Sequence, residues 1–192
     1  GVADGGIVAG EYASSDWGVD RAFRWTPSGG MQDLGTLAGL TGAIAFGISG
    51  DSTTVVGTSF SSDWSAERAF RWTEATGMQD IGTLENGTSA WASAVSYEGS
   101  VVAGGSYLAG NSGSYHAFRW TETTGMQDLG TLGTGTVSTA LGIAGDGAVI
   151  VGESYLAGNS GARHAFRWTE TTGMQDLGTL GTGTVSSAWN IS

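Results

Sequence analysis

Two dipeptides in this chain could touch a ligand. Asp16-Trp17 and Asp63-Trp64 each set a carboxylate beside an indole, within the stretches EYASSDWGVDR and SFSSDWSAER. A sugar ring can lay its apolar face on an indole while its hydroxyls meet a carboxylate, so these loops are the candidate glycan contacts. The competing reading is a tryptophan folded over the edge of its own sheet. A second constellation is Arg24, Arg71, Arg119 and Arg167, followed nine residues later by Asp33, Asp80, Asp128 and Asp176. Four arginines could form an anion site. Four regular copies favour instead a structural ion pair, because a half-buried charge must be matched. His116 and His164 have no cysteine or second histidine at zinc-ligand spacing, so no metal site is assigned. No Asp-x-Asp-x-Asp-Gly run occurs, which leaves only weak calcium binding by acidic loops and no cofactor. Nucleophile elbow, phosphate loop and dinucleotide fingerprint are all missing, so no catalytic residue is assigned. A polysaccharide hydrolase or lyase is the least favoured reading.

Composition narrows the partners. The net charge is -11, and all 7 basic residues counted as Lys+Arg are arginines. A phosphate backbone needs a basic patch, so a nucleic-acid partner is not expected. An anionic membrane surface is disfavoured on the same ground. No stretch approaches the roughly 18 apolar residues of a membrane span. There is no cysteine, hence no disulfide. The chain opens on Gly1 without a methionine, as a processed or partial chain would.

The elements that must position these residues come from repetition. Ala-Phe-Arg-Trp-Thr begins at Ala22, Ala69, Ala117 and Ala165, at steps of 47, 48 and 48 residues. Met-Gln-Asp-(Leu/Ile)-Gly-Thr-Leu begins at Met31, Met78, Met126 and Met174. An alanine heading a small-residue strand follows the first word by 23 residues in every copy, at Ala45, Ala92, Ala140 and Ala188. A short apolar run closed by glycine completes the set at Gly10, Gly57, Gly104 and Gly152. Each repeat reads as four short strands separated by turn residues, with no helical period. Four strands in about 48 residues is the length of a propeller blade. The expected fold is therefore an all-β β-propeller of four four-stranded blades in one domain, 1–192. The blades are drawn as A (186–192 plus 2–40), B (41–87), C (88–135) and D (136–185). Segments 106–140 and 154–188 differ at only 3 of 35 positions, which a blade packed beside its own copy tolerates. A four-residue turn, Pro27 to Gly30, would place Thr26 opposite Met31 and Arg24 opposite Asp33.

His116-Ala117-Phe118 and His164-Ala165-Phe166, each leading into Arg-Trp-Thr and then Gly-Met-Gln-Asp-Leu-Gly-Thr-Leu, resemble the HAF-repeat family of bacterial extracellular proteins. The order of strands is also similar to kelch blades. The resemblance covers essentially the whole chain, with Arg21 and Arg68 replacing the histidine in the first two copies. It implies export or display at the cell surface and no established chemistry. Together these readings point to a non-enzymatic structural or adhesive protein outside the cell, with glycan binding as the alternative. The ends add a further expectation. Residues 186–192 spell the first strand of a blade whose remainder stands at the start of the chain. That strand should pair with its own start, closing a four-bladed ring, or with the start of another chain, giving a homo-oligomer or filament.

Overall fold

The computed structural model describes residues 1–13, 19–110, 113–158 and 161–191. Apart from two three-residue 3-10 turns, Asp4–Gly6 and Leu84–Asn86, the regular structure among these residues is all β. Strands β1 (Val8–Ala13), β2 (Asp20–Thr26) and β3 (Gly30–Asp33) form the first sheet. The second joins β4 (Gly42–Ile48), β5 (Thr54–Phe60), β6 (Glu67–Thr73) and β7 (Gly77–Asp80). The third joins β8 (Ala90–Val95), β9 (Val101–Tyr107), β10 (Tyr115–Thr121) and β11 (Gly125–Asp128). After the two-residue strand β12 (Thr134–Gly135) comes the fourth sheet. It contains β13 (Ser138–Ile143), β14 (Ile150–Tyr155), β16 (Arg163–Thr169) and β17 (Gly173–Asp176), while β15 (Ala157–Gly158) pairs in parallel with β12. Each of the four larger sheets is an antiparallel meander, as expected where short turns join successive strands.

The sheets pack face to face, and alternation along each strand supplies both faces. Val55 and Val56 are adjacent and both fully buried, because one points to the preceding sheet and the other to the following one. Between the second and third sheets lie Val56, Ala69, Ile81 and Leu84 on one side and Ala92, Val102 and Phe118 on the other. The neighbouring contacts reuse the same positions. Ala22, Leu34 and Leu37 meet Val55, Phe70 and Trp72 in one, and Ala117, Leu129 and Leu132 meet Ile150, Phe166 and Trp168 in the other. Phe70, Phe118 and Phe166 are all fully buried. Each such ring contributes about 1.5–3 kcal/mol of burial. One sheet face can therefore be copied whole along the chain.

The hairpin inside each sheet differs from the expected register by one residue. Thr26 pairs with Gly30, Trp25 with Met31, Arg24 with Gln32 and Phe23 with Asp33, and the other three sheets follow the same register. The loop has three residues rather than four because Gly30, Gly77, Gly125 and Gly173 take positive φ, 65–70°. A glycine in the left-handed region closes a type I turn as a bulge and enters the ladder itself. The expected pairs Arg24–Asp33, Arg71–Asp80, Arg119–Asp128 and Arg167–Asp176 therefore do not stand opposite each other. Each arginine lies on the face away from its aspartate.

The inner strands explain the small-residue word. β4, β8 and β13 each carry a bulge, between Ala45 and Gly47, Ala92 and Ala94, and Ala140 and Gly142. They converge on a shared cavity of about 280 Å³ lined by residues of all three, together with Gly1 and Asn190. Gly47 lies against Ser93 O, where a side-chain carbon would be 3.3 Å away, and only small residues fit such approaches.

The first sheet has three strands, and the expected join of 186–192 to 2–40 is not made among the described residues. Val2 bridges Val8, and the Ala9 N–H donates to Gly1 O at 3.0 Å, so the chain's own start fills the inner end of that sheet. Val185 instead bridges Arg163, the Ser186 N–H donates to Arg163 O at 2.8 Å, and the Ala188 N–H reaches Gly152 O at 3.3 Å. The tail thus lies beside the fourth sheet, and Val137 bridges Tyr115 in the same way one repeat earlier. No helix among the described residues is long and apolar enough to cross a membrane.

Candidate functional site

The Asp63-Trp64 loop follows β5. Ser61 Oγ donates to Asp63 Oδ1 at 2.7 Å, and Ser65 adds its Oγ at 2.8 Å and its N–H at 3.1 Å. These donors, led by Ser61, hold the Asp63 carboxyl down at about 2, against 3.8 for an ordinary aspartate. The tight turn carries Trp64 at φ 58° and lays its ring on Phe60, with centroids 4.0 Å apart and planes 5° from parallel. One indole face is thus fixed on the sheet and the side chain remains 55% exposed. The tryptophan folds over its own sheet edge, with its other indole face left open. Asp16 and Trp17 lie outside the described residues.

The arginines of the repeated word reach the next sheet, but to backbone rather than to aspartate. Arg24 Nε donates to Ser52 O at 3.2 Å, and Arg71 Nε donates to Gly99 O at 3.1 Å. Ser52 and Gly99 occupy the same turn of successive repeats. Beside Arg71 a cleft of about 360 Å³ opens between the second and third sheets, lined by Glu98, Ser100, Trp120 and Glu122. One repeat later a cleft of about 170 Å³ carries Arg119, Trp168 and Glu170 at equivalent places. A guanidinium, an indole and at least one carboxylate are thus presented together in two successive clefts.

The aspartates find other partners, which sequence reasoning missed. His116 Nδ1 lies 2.8 Å from Asp128 Oδ2, and His164 Nδ1 lies 2.9 Å from Asp176 Oδ1. Arg68 takes the histidine's place with Nε 3.9 Å from Asp80, and in the first sheet Tyr12 donates to Asp33 Oδ2 at 3.0 Å. Each aspartate also accepts the N–H two residues on, from Gly35, Gly82, Gly130 and Gly178. Burial alone would raise the Asp128 carboxyl. The His116 ring nitrogen, the Gly130 N–H and the histidine's charge outweigh it and hold the group below its usual value. Asp176 is lowered too, with the Gly178 N–H and His164 overcoming the same opposing effect. The signal was available: a basic residue or histidine stands 12 positions before the aspartate in every copy, at Arg21, Arg68, His116 and His164. In the observed register that spacing is a diagonal neighbour on one face.

Among the described residues, no three histidine, cysteine, aspartate or glutamate side chains gather in a way that could hold a metal ion. No family model and no curated protein matches this chain. Solved structures do. It is similar to TolB from Acinetobacter baumannii, with a TM-score of 0.59 at 16% identity over 89% of this chain. It is also similar to a protein assigned as TolB from Agrobacterium tumefaciens, with a TM-score of 0.61 at 11% identity over 92% of this chain. The fold is β-propeller-like. The match spans 43% and 63% of those two chains, so the likeness bears on the arrangement of sheets alone. The cavity at Gly47 lies where the inner strands of successive sheets meet, and the Arg–Trp clefts lie between neighbouring sheets.

Proposed function

We propose that the chain is a non-enzymatic structural or adhesive propeller module, displayed outside the cell. The observation that carries this reading is how the repeated residues are spent. Phe118 fills an interface between sheets, Arg71 satisfies a carbonyl of the next sheet, and Asp128 ties a turn to a histidine. The residues written most often therefore serve packing and backbone satisfaction. Display outside the cell is drawn from the HAF-repeat resemblance. Antibody raised against the chain should label intact cells of its source, and the purified chain should release no sugar from a panel of bacterial and plant polysaccharides. Labelling only after lysis would overturn the display, and sustained release of product would overturn the non-enzymatic reading.

A glycan-binding role is the second reading, favoured by the flat mounting of Trp64 on Phe60. Sugars stack on such plates. Glycan-array binding that disappears in Trp64→Ala, while the melting temperature stays within a few degrees, would establish it. An array with no binding by the unaltered chain would remove it.

A further inference from the structure

The repeat supplies an internal standard for the clefts between sheets, and the cleft between the second and third sheets departs from it. Trp120 is only half-buried, whereas Trp72 and Trp168 at the same repeat position are 5% exposed. The space beside Trp120 is about 360 Å³, against about 170 Å³ beside Trp168. Pockets that hold small molecules begin at about 300 Å³, so the first is large enough for one and the second is not. The wide cleft lies between two four-stranded sheets, both fully formed.

The polar groups of the wide cleft are also engaged differently from their counterparts. Asp51, Glu98 and Asp146 hold one position of the turn that joins the first two strands of the second, third and fourth sheets. Asp51 accepts from Ser49 Oγ and, at 3.0 Å, from the Thr53 N–H, while Asp146 accepts from the Ala148 N–H at 2.9 Å. Each aspartate thereby closes its own turn, which a short side chain suits. Glu98 is one methylene longer and makes no such bond among the described residues; it stands in the cleft wall instead. Ser100 stands where the fourth sheet has Ala148, and its hydroxyl meets no hydrogen-bond partner among the described residues. Arg71 gives Nε to Gly99 O at 3.1 Å and forms no ion pair among the described residues, so its two terminal nitrogens keep their donors. Glu122, in the turn after β10, completes the wall. A guanidinium, two carboxylates and a hydroxyl with unused hydrogen-bonding capacity thus surround an indole whose counterparts are covered.

We propose that this cleft binds a neutral sugar unit of a glycan, its ring against Trp120 and its hydroxyls shared among Arg71, Glu98, Ser100 and Glu122. Sugar hydroxyls both donate and accept, so they match a wall that sets acceptor-only carboxylates beside a donor-only guanidinium. Hydrogen bonds to such charged groups are the stronger ones, and the indole takes the apolar face of the ring. An anionic ligand would meet two carboxylates against one guanidinium, in a chain of net charge -11. A wholly apolar ligand would strip water from the polar wall and return no hydrogen bond. The cleft one repeat later has a buried indole, an alanine for the serine and an aspartate held in its own turn, and should take no sugar. The site is separate from the Trp64 loop and goes beyond the scaffold reading, which does not depend on it.

Isothermal titration and saturation-transfer NMR on the full 192-residue chain test this, with neutral trisaccharides of glucose, mannose, xylose and N-acetylglucosamine. A trisaccharide of galacturonic acid and free leucine are the charged comparisons. At least one neutral sugar should bind, and neither charged probe should. Glu98→Asp combined with Ser100→Ala writes the fourth sheet's turn residues into the third. That variant should keep its melting temperature and bind the sugar about tenfold more weakly or worse, because bonds to a charged group and a hydroxyl are lost. Trp120→Ala should abolish binding, and the turn variant carries the test should Trp120→Ala not fold. Trp64→Ala and Glu170→Gln should bind as the parent does. No binding of any neutral sugar up to about 10 mM overturns the proposal, as does unchanged affinity in the turn variant. Binding that disappears in Trp64→Ala instead moves the sugar to the other loop, and a preference for the acidic sugar or for leucine overturns the ligand class.

Discussion

Gly104→Ala measures how tightly the inner strands are held. Gly104 lies on β9 opposite the bulge in β8. A methyl there would overlap the carbonyl oxygen of Trp91 outright, while lying 2.9 Å from Ala92 Cα and 3.0 Å from Phe118 Cε1. None of these atoms is the loose end of a flexible side chain. Ala90, Ala92 and Phe118 are all fully buried, and β8 is clamped between β9 and the second sheet. The strand must therefore shift as a unit or lose its pairing. Overpacking a filled core costs about 1–3 kcal/mol, and the upper end applies where backbone rather than side chain must move. For a domain of this size each kcal/mol lowers the melting temperature by about 2–4 °C, so about 3 kcal/mol predicts a fall of roughly 6–12 °C. Thermal unfolding followed by tryptophan fluorescence, with urea midpoints as a check, reads this directly. Gly10→Ala is the matched control. It meets only the Phe23 ring, which can turn aside, so it should cost less than about 1 kcal/mol. Equal melting temperatures for Gly104→Ala and the parent would refute the reasoning, because the inner strands would then be free to yield.

The other predictions use the same internal comparison. Leu132→Ala should cost about 2–5 kcal/mol, while Leu180→Ala, its copy one repeat on, should stay within about 0.5 kcal/mol; denaturant midpoints of the two variants decide. Arg71→Ala removes the donor to Gly99 O and should lower stability by about 1–2 kcal/mol, with Arg71→Lys recovering less than half, because a lysine cannot present the same fixed fork. Asp128 and Asp176 both have carboxyls held below their unfolded value of 3.8. Their contribution is therefore complete above the ordinary carboxylate range and lost as pH falls through the lower, folded values. The melting temperature should be level from about pH 7 to 5 and fall below about pH 4, and Asp128→Asn should make that acid fall shallower.

The period of the repeat, the strand count within it and the all-β class were open to reading because each rests on spacing. A step of 47 or 48 residues, a constant 23 between two alanines and turn residues between β-rich words leave little room for another architecture. The hairpin register was not legible with the same ease. It depends on whether Gly30 belongs to the loop or to the strand, and positive φ decides that in favour of a strand residue that also closes the turn. One residue of difference moved Arg24 from Asp33 to Ser52 O, since a slip of one carries every side chain to the opposite face. The partner of Asp128 was hidden for the same reason: a 12-residue spacing to His116 means contact only once the register is known.

What the repeat could never disclose is which copy of a surface is covered. His116 to Ser138 and His164 to Ser186 are the same twenty-three letters, yet Leu132 lies in a core and Leu180 in the open. Identical local sequence gives the same hairpin of two strands, the same turn and the same Asp–His tie, because those interactions are made within a sheet. The packing between sheets is made with whatever follows in space. That depends on the turn per sheet, which is a property of the assembled interfaces and not of any one segment. The apparent arithmetic of a split sheet, with 186–192 completing 2–40, presumed a full circle after four. Gly1 lies beside Gly47 and Ile48 while Asn190 lies beside Gly142, so both line the cavity and the tail does not stand in for the chain's own start. The same twenty-three letters thus line an interior surface in one place and an exposed one in the next, and their faithful copying suits sheets that each pack beside one built alike.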